Sequence, residues 1–182
     1  MTRALVLHAH PDDELLFAGA LMLAHPDWEW TTVSLTGGPR RSRYPGICLG
    51  FPDEWRILSV AEYHEWRAAV AALRLEPDVT ISHNMLGEYG HPHHMAVHRI
   101  AHELFAPVWD FLVQAESSVL QQNWRAWVGL TNVGPDKERR FGEVYGADVL
   151  DELRRDRPAM MADLFEGELV TGERALPERA GM

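Results

Sequence analysis

His10-Pro11-Asp12-Asp13-Glu14 packs one imidazole and three carboxylates into five consecutive residues. Acids this close repel one another unless positive charge sits among them, and a divalent cation is the simplest source. Imidazole with carboxylate is a ligand set that suits zinc. His10 and Asp13, three apart across a turn, could hold one ion together. A second polar cluster, Tyr89-Gly90-His91-Pro92-His93-His94, offers His94 as the third ligand. Three protein ligands and an open position make a catalytic zinc site. The competing reading is a helix cap, because an acid at a helix N-terminus is stabilising without any metal. That accounts for one Asp, but not for the His beside it or for the second His cluster.

Asp12 is left beside these ligands and is expected to act as a general base. A bound metal lowers the pKa of water to roughly 7, so a modest base suffices. Glu14, inside the helix, would support a ligand His from behind or pair with solvent or an Arg. His91 could protonate a leaving amine or stabilise an oxyanion, and Tyr89 could add a phenolic donor to that oxyanion. A rival ligand set exists. His94, His98 and His102 recur every four residues and share one helix face. The first two have the spacing of a helical zinc protease, but Met95 stands where that motif carries its glutamate. His98 and His102 also step away from the helix N-terminus, and we read them as structural.

The elements around the clusters explain how they could meet. Ala4-Leu5-Val6-Leu7 reads as a buried strand that feeds the first cluster, which opens a helix over 13–25 ended by Pro26-Asp27. Trp30 to Leu35 is a strand running out into Thr36-Gly37-Gly38. Val79 to Ser82 is a strand ahead of the second cluster, and Pro92 opens a helix over 92–105, where its missing N–H costs nothing. Residues 37–57 are expected to form a long loop, and long loops are often functional. Ser59 and Glu62 form a capping box for a helix to about Arg74, with Val60, Ala68, Ala71, Ala72 and Leu75 as its apolar stripe. Residues 108–113 and 126–131 are two more strands. Asp136 to about Arg155 is a helix broken near Gly142 or Gly146, and the tail after Pro158 is weakly patterned. The alternation predicts an α/β fold: a Rossmann-like, doubly wound, mostly parallel sheet with helices on both faces. Loops at the carboxyl ends of such strands converge on one crevice.

The 182 residues fit one domain, 1–182, with a mobile tail from about 172. A formal charge of −10 argues against general nucleic-acid binding, though a sugar carried on a nucleotide or nucleic acid stays open as a substrate. The single Cys48 excludes an intrachain disulfide and a multi-cysteine zinc site. The apolar run before His8 is too short for a signal peptide, and no run reaches membrane-spanning length. A soluble cytoplasmic protein with no membrane partner is expected, and a homo-oligomer is compatible with the sequence.

Ala9-His10-Pro11-Asp12-Asp13-Glu14, with Gly19 and Thr36-Gly37-Gly38, resembles one signature of the LmbE-like, or PIG-L, family of zinc-dependent N-deacetylases. Gly87-Glu88-Tyr89-Gly90-His91-Pro92-His93-His94 resembles the other. The likeness spans about residues 4–100. It implies Zn2+, or Fe2+ in its place, on His10, Asp13 and His94. It also implies Asp12 as base, His91 as acid or electrostatic stabiliser, and Tyr89 as a mobile donor. Such enzymes cleave acetyl amides, usually of N-acetylglucosamine carried on inositol, phosphatidylinositol, malate or another sugar.

Two departures stand out. His93 occupies a position where the family usually has Asp or Asn, which should lower the pKa of His91. The chain is also shorter than typical members. The expected activity is hydrolysis of an acetamido group on a small amino-sugar conjugate, giving acetate and a free amine. Arg40, Arg41, Arg43, Tyr44, Phe51 and Trp55 are candidates to hold the sugar and a phosphate beyond it; the alternative for the arginines is a solvated loop. Two other classes stay open. One is a metal- or nucleotide-binding module without turnover, although the chain lacks the Gly-x-Gly-x-x-Gly turn after its first strand. The other is a metal phosphoesterase, which more often needs a second metal and more bridging carboxylates.

Overall fold

The computed structural model describes residues 1–37, 46–112, 127–131, 139, 142–143, 147–156 and 167–171. Strand β1 (Arg3–His8) leads into helix α1 (Asp13–Ala24), followed by β2 (Glu29–Thr36), β3 (Gly46–Phe51) and α2 (Val60–Ala72). Then come β4 (Val79–Ser82), the short α3 (Gly87–Gly90), α4 (Pro92–Leu104), β5 (Val108–Leu112), β6 (Trp127–Thr131), α5 (Ala147–Asp156) and β7 (Gly167–Thr171). They form one sheet in the order β3-β2-β1-β4-β5-β7-β6. The first five strands in that order are parallel. β7 runs antiparallel to both β5 and β6.

Side-chain alternation along β1 explains the two layers. Ala4 and Val6 face a core built with Leu15, Phe17 and Leu21 of α1, and with Leu150 of α5. Leu5 and Leu7 face the opposite core, built with Trp66 and Val70 of α2 and with Val97 and Ile100 of α4. A strand buried on both faces reads as a continuous apolar run because neither parity can be polar. The doubly wound expectation is borne out. Strand order reverses beside β1, between β2 and β4, so the turns after β1 and β4 open on one crevice.

Several expectations need correction. Residues 37–57 do not form one long loop, because β3 pairs with β2 in parallel from Gly46. β3 is half exposed, so it has no clear apolar period. The stripe expected on α2 is also misplaced. Val60 is 74% exposed and Ala68, Ala71 and Ala72 face outward, whereas Trp66 and Val70 are buried. The Ser59–Glu62 capping box is present, with both reciprocal bonds made. β7 lies in the stretch read as weakly patterned. Residues 38–45, with Arg40, Arg41, Arg43 and Tyr44, and those from 172 on lie outside the described residues. Among the described residues no helix is long and apolar enough to cross a membrane.

Candidate active site

Two strand ends build the site. After β1 the chain turns through Ala9–Asp12, and this turn is held from the side by β2. The Thr36 amide and hydroxyl both donate to the Ala9 carbonyl, each at 2.8 Å. Gly37, at φ 80°, then passes directly over Pro11; a Cβ there would lie 2.8 Å from Pro11 Cγ. Only glycine combines that torsion with that approach. Gly37→Ala should therefore destabilise the chain by about 1–3 kcal/mol through backbone strain and the clash. Pro11→Ala in the same chain should recover the steric part. Denaturant melts of the two single variants and the double variant test this, and purely additive effects would rule out the contact as the cause.

After β4, Asn84 orders the second turn. Its side-chain carbonyl accepts from the Leu86 amide at 2.9 Å, and its amide group donates to the Phe111 carbonyl at 2.9 Å. Gly87 (φ 63°) and Glu88 (φ 55°) then take left-handed backbone before α4 begins. A non-glycine residue in that region is uncommon and gathers at functional sites. The strain at Glu88 aims its carboxylate inward, where it is fully buried between two imidazoles.

His10, Asp13 and His94, the three expected ligands, come together. His10 Nδ1 lies 3.1 Å from His94 Nε2 and 3.3 Å from Asp13 Oδ2, and His94 Nε2 lies 3.6 Å from that same oxygen. Ligands of a tetrahedral zinc, at bonds near 2.0–2.2 Å, sit about 3.3 Å apart. His94 also turns its other nitrogen to a carboxylate, with Nδ1 2.5 Å from Glu88 Oε2. His10 Nε2 lies 3.2 Å from Asp53 Oδ1 without a hydrogen bond between them. Carboxylates behind ligating histidines fix ring tautomer and orientation in metal sites.

Three of these groups were not singled out in the sequence: His83, Glu88 in a supporting role, and Asp53. His83 lies wholly buried just beyond β4, with Nδ1 2.8 Å from Glu88 Oε2 and Nε2 3.2 Å from Asp13 Oδ2. Its place at the carboxyl end of a parallel strand is a signal that could have found it. Asp53 follows β3, so missing that strand hid it. Glu14 is buried, with Oε2 3.9 Å from His8 Nε2.

The charge balance is set by burial and close pairs. Burial opposes charge on Glu88, but His83 and His94 outweigh it and pull its pKa down to about 2. Burial likewise opposes charge on His83, yet Glu88 and Asp13 hold it at about 9. His83 Nε2 also sits 3.0 Å from the Ala9 amide, which it can accept only when neutral. A cation on Asp13 would cancel that carboxylate's pull and favour the neutral form. Asp13, against the cost of burial, is held well below the usual range by His94, His10 and His83.

Glu88→Gln should cost the metal-free chain about 3–5 kcal/mol, the loss expected when one partner of a buried charged cluster is removed. The pH dependence has a fixed sign. Glu88 has a depressed pKa, so its contribution is full above about 4.5 and disappears as pH falls toward about 2. The gap in Tm between wild type and variant should therefore close in acid. A gap that is constant from pH 7 to pH 3 would show that charge on Glu88 is not what stabilises the turn.

His91 caps α4: its Nδ1 accepts from the His93 amide at 3.2 Å, which leaves Nε2 to carry the proton. Burial and the neighbouring His94, His10 and His93 push its pKa down to about 3. His93 contributes to that shift as expected, but behind three larger causes. Its own ring is buried edge-on against Trp66 at 5.0 Å. Trp55, 63% exposed, stands edge-on to His91 at 4.2 Å and marks the mouth. Phe51 packs on Trp66 at 5.2 Å as part of the core and is no platform for a sugar. Asp12 takes the N-cap position of α1 but makes no side-chain cap bond, so capping does not explain it. Tyr89 belongs to α3 by its backbone, and its side chain lies outside the described residues. His98 and His102 stand apart from this group, on Asp110.

No protein-family model matches the chain. A 1D-myo-inositol 2-acetamido-2-deoxy-α-D-glucopyranoside deacetylase of Frankia casuarinae is 31% identical over 169 residues, covering 63% of this chain and 54% of its own length. A namesake from Corynebacterium urealyticum is 28% identical over 156 residues, covering 56% of this chain and 47% of its own. The chain is thus similar in sequence to deacetylases of a 2-acetamido-2-deoxyglucopyranoside. The resemblance carried by the two motifs is thereby borne out. The chain spans about half the length of these curated relatives.

Among solved structures, a deacetylase of the teicoplanin biosynthetic pathway superposes with a TM-score of 0.66 at 15% identity, over 94% of this chain and 97% of its own. A 4-carboxy-2-hydroxymuconate hydratase from Pseudomonas putida KT2440 superposes at 0.57 and 16% identity, over all of both chains. The architecture is therefore shared by a protein named a deacetylase and one named a hydratase, and only the site can separate them.

Proposed function

We propose that the chain is a metal-dependent N-deacetylase that removes acetyl from an N-acetylated amino-sugar conjugate. One observation carries the reading. Three donor atoms from two strand-end turns lie 3.1–3.6 Å apart, and the His94 imidazole is held from behind by the Glu88 carboxylate. That donor set fits Zn2+, with Fe2+ as the alternative, and His10, Asp13 and His94 would hold it. Bound there, the ion supplies Lewis-acid polarisation of an acyl oxygen and acidifies water.

The chain's own residues supply the rest. Asp12, on the same turn and not used as a cap, takes the proton of the attacking water and can pass it on to the departing amine. His91 is neutral at physiological pH, with Nδ1 committed to the helix. It donates its Nε2 proton as a hydrogen bond to the developing oxyanion and is not the general acid. Tyr89 is a second proposed donor to that oxyanion. Trp55 stands where a sugar ring would stack beside His91. Arg40, Arg41 and Arg43 stay proposed contacts for a phosphate on the conjugate. We place the activity in the cytoplasm.

The full chain, loaded with zinc, should release acetate from a panel of N-acetylglucosamine conjugates and no phosphate from phosphoesters. Metal-loaded protein that releases acetate from none of them would overturn the reading. Release of phosphate would move the chain to another class.

A further inference from the structure

A second group of metal-type side chains lies on the other half of α4. His98 and His102 are one turn apart on α4, and Asp110 faces them from β5. His98 Nδ1 lies 3.2 Å and His102 Nε2 2.9 Å from the same atom, Asp110 Oδ1. His98 Nδ1 is also 2.9 Å from the His83 carbonyl oxygen. An imidazole nitrogen has one proton to give, so Nδ1 cannot serve both oxygens fully. A cation at the centre would satisfy every one of these atoms. The three side-chain donors converge within the spread of a single coordination sphere. The carboxylate is almost buried, while the two imidazoles are 20% and 44% exposed, which leaves a way in from solvent.

We propose that His98, His102 and Asp110 form a second divalent-metal site, distinct from the one at His10, Asp13 and His94. Two imidazoles and one carboxylate select a borderline ion such as Zn2+ over Mg2+ or Ca2+, which prefer all-oxygen shells. The separations of 2.9 and 3.2 Å are close to the roughly 3.3 Å between ligands of a tetrahedral zinc, and the His83 carbonyl is placed to be a fourth donor. The site would clamp α4 to the ends of β4 and β5. It would also act on the turn after β4, because the residue whose carbonyl it engages is His83, whose ring touches Asp13 and Glu88. This inference does not depend on the deacetylase reading.

Elemental analysis after equilibration with Zn2+ and removal of free ion should find two ions per wild-type chain. His102→Ala, at a half-exposed position outside the catalytic machinery, should hold one. His94→Ala should also hold one, and the double variant none. Cobalt loaded into His94→Ala should give the visible band of a tetrahedral site, and adding His102→Ala should abolish it. A single zinc in the wild type that folded His102→Ala retains would overturn the proposal. So would two in folded His102→Ala, or a cobalt band that survives loss of His102.

Discussion

His94→Ala protein is expected to carry one metal ion fewer per chain than the wild type and to release acetate only at background. His94 Nε2 is the donor that brings the second turn to the first, 3.1 Å from His10 and 3.6 Å from Asp13. Without it two ligands remain on one turn, too few for a catalytic zinc. Loss of an outer carboxylate alone typically costs 10–100-fold in affinity or activity, so loss of a ligand should cost more. The change also leaves Glu88 with a single buried imidazole, so circular dichroism must first establish that the variant folds. His10→Ala, at a less enclosed position, is the companion. Both variants holding as much metal as the wild type would remove these residues from the site. The rival helical set of His94 with His98 would gain if His98→Ala lowered metal content and abolished activity together.

Asp12→Asn should keep its metal and its stability while kcat falls by roughly 10²–10⁴-fold, the share of a positioned acid–base group. The variant is clean for a structural reason. Asn is as good an N-cap residue as Asp, and Asp12 makes no side-chain cap bond that could be lost. It also tolerates unusual backbone torsions better than most residues. Stability should change by only a few tenths of a kcal/mol on the capping scale, well below the roughly 3–5.5 kcal/mol implied by the rate. An unchanged kcat in metal-replete Asp12→Asn would take Asp12 out of the mechanism.

His93 illustrates how a departure from a motif is resolved in space. Its neighbour His91 is neutral, as the swap of Asp for His suggests, but burial, His94 and His10 all outrank His93 as the cause. The bond that joins the two residues runs through the His93 backbone amide. Its ring fills the space against Trp66. Replacing His93 therefore risks the packing of α2 as much as the chemistry of His91.

Much of this protein is legible in its residues taken in order. The runs Ala4–Leu7 and Val79–Ser82 are buried at every position because parallel strands between two helical layers have no solvent face, and Val, Leu and Ile supply most of them. That pattern, with polar clusters directly after each run, is enough to expect a doubly wound sheet and a shared crevice. The capping box at Ser59 and Pro92 at the head of α4 are local signals, satisfied by neighbours within a few residues, and both hold. β3 could not be read this way. It lies at the edge of the sheet, where half-exposure erases the alternation. The carboxylates beside the ligands were hidden for a related reason. Asp53 and Glu88 lie far along the chain from one another, and no spacing rule reaches from Asp53 to His10. Local sequence names the chemical types, because strand, turn and helix signals act over a few residues. Which nitrogen faces which carboxylate, and that His98 and His102 gather on Asp110 away from His94, depends on how β4, β5 and α4 pack. That packing is decided by long-range burial.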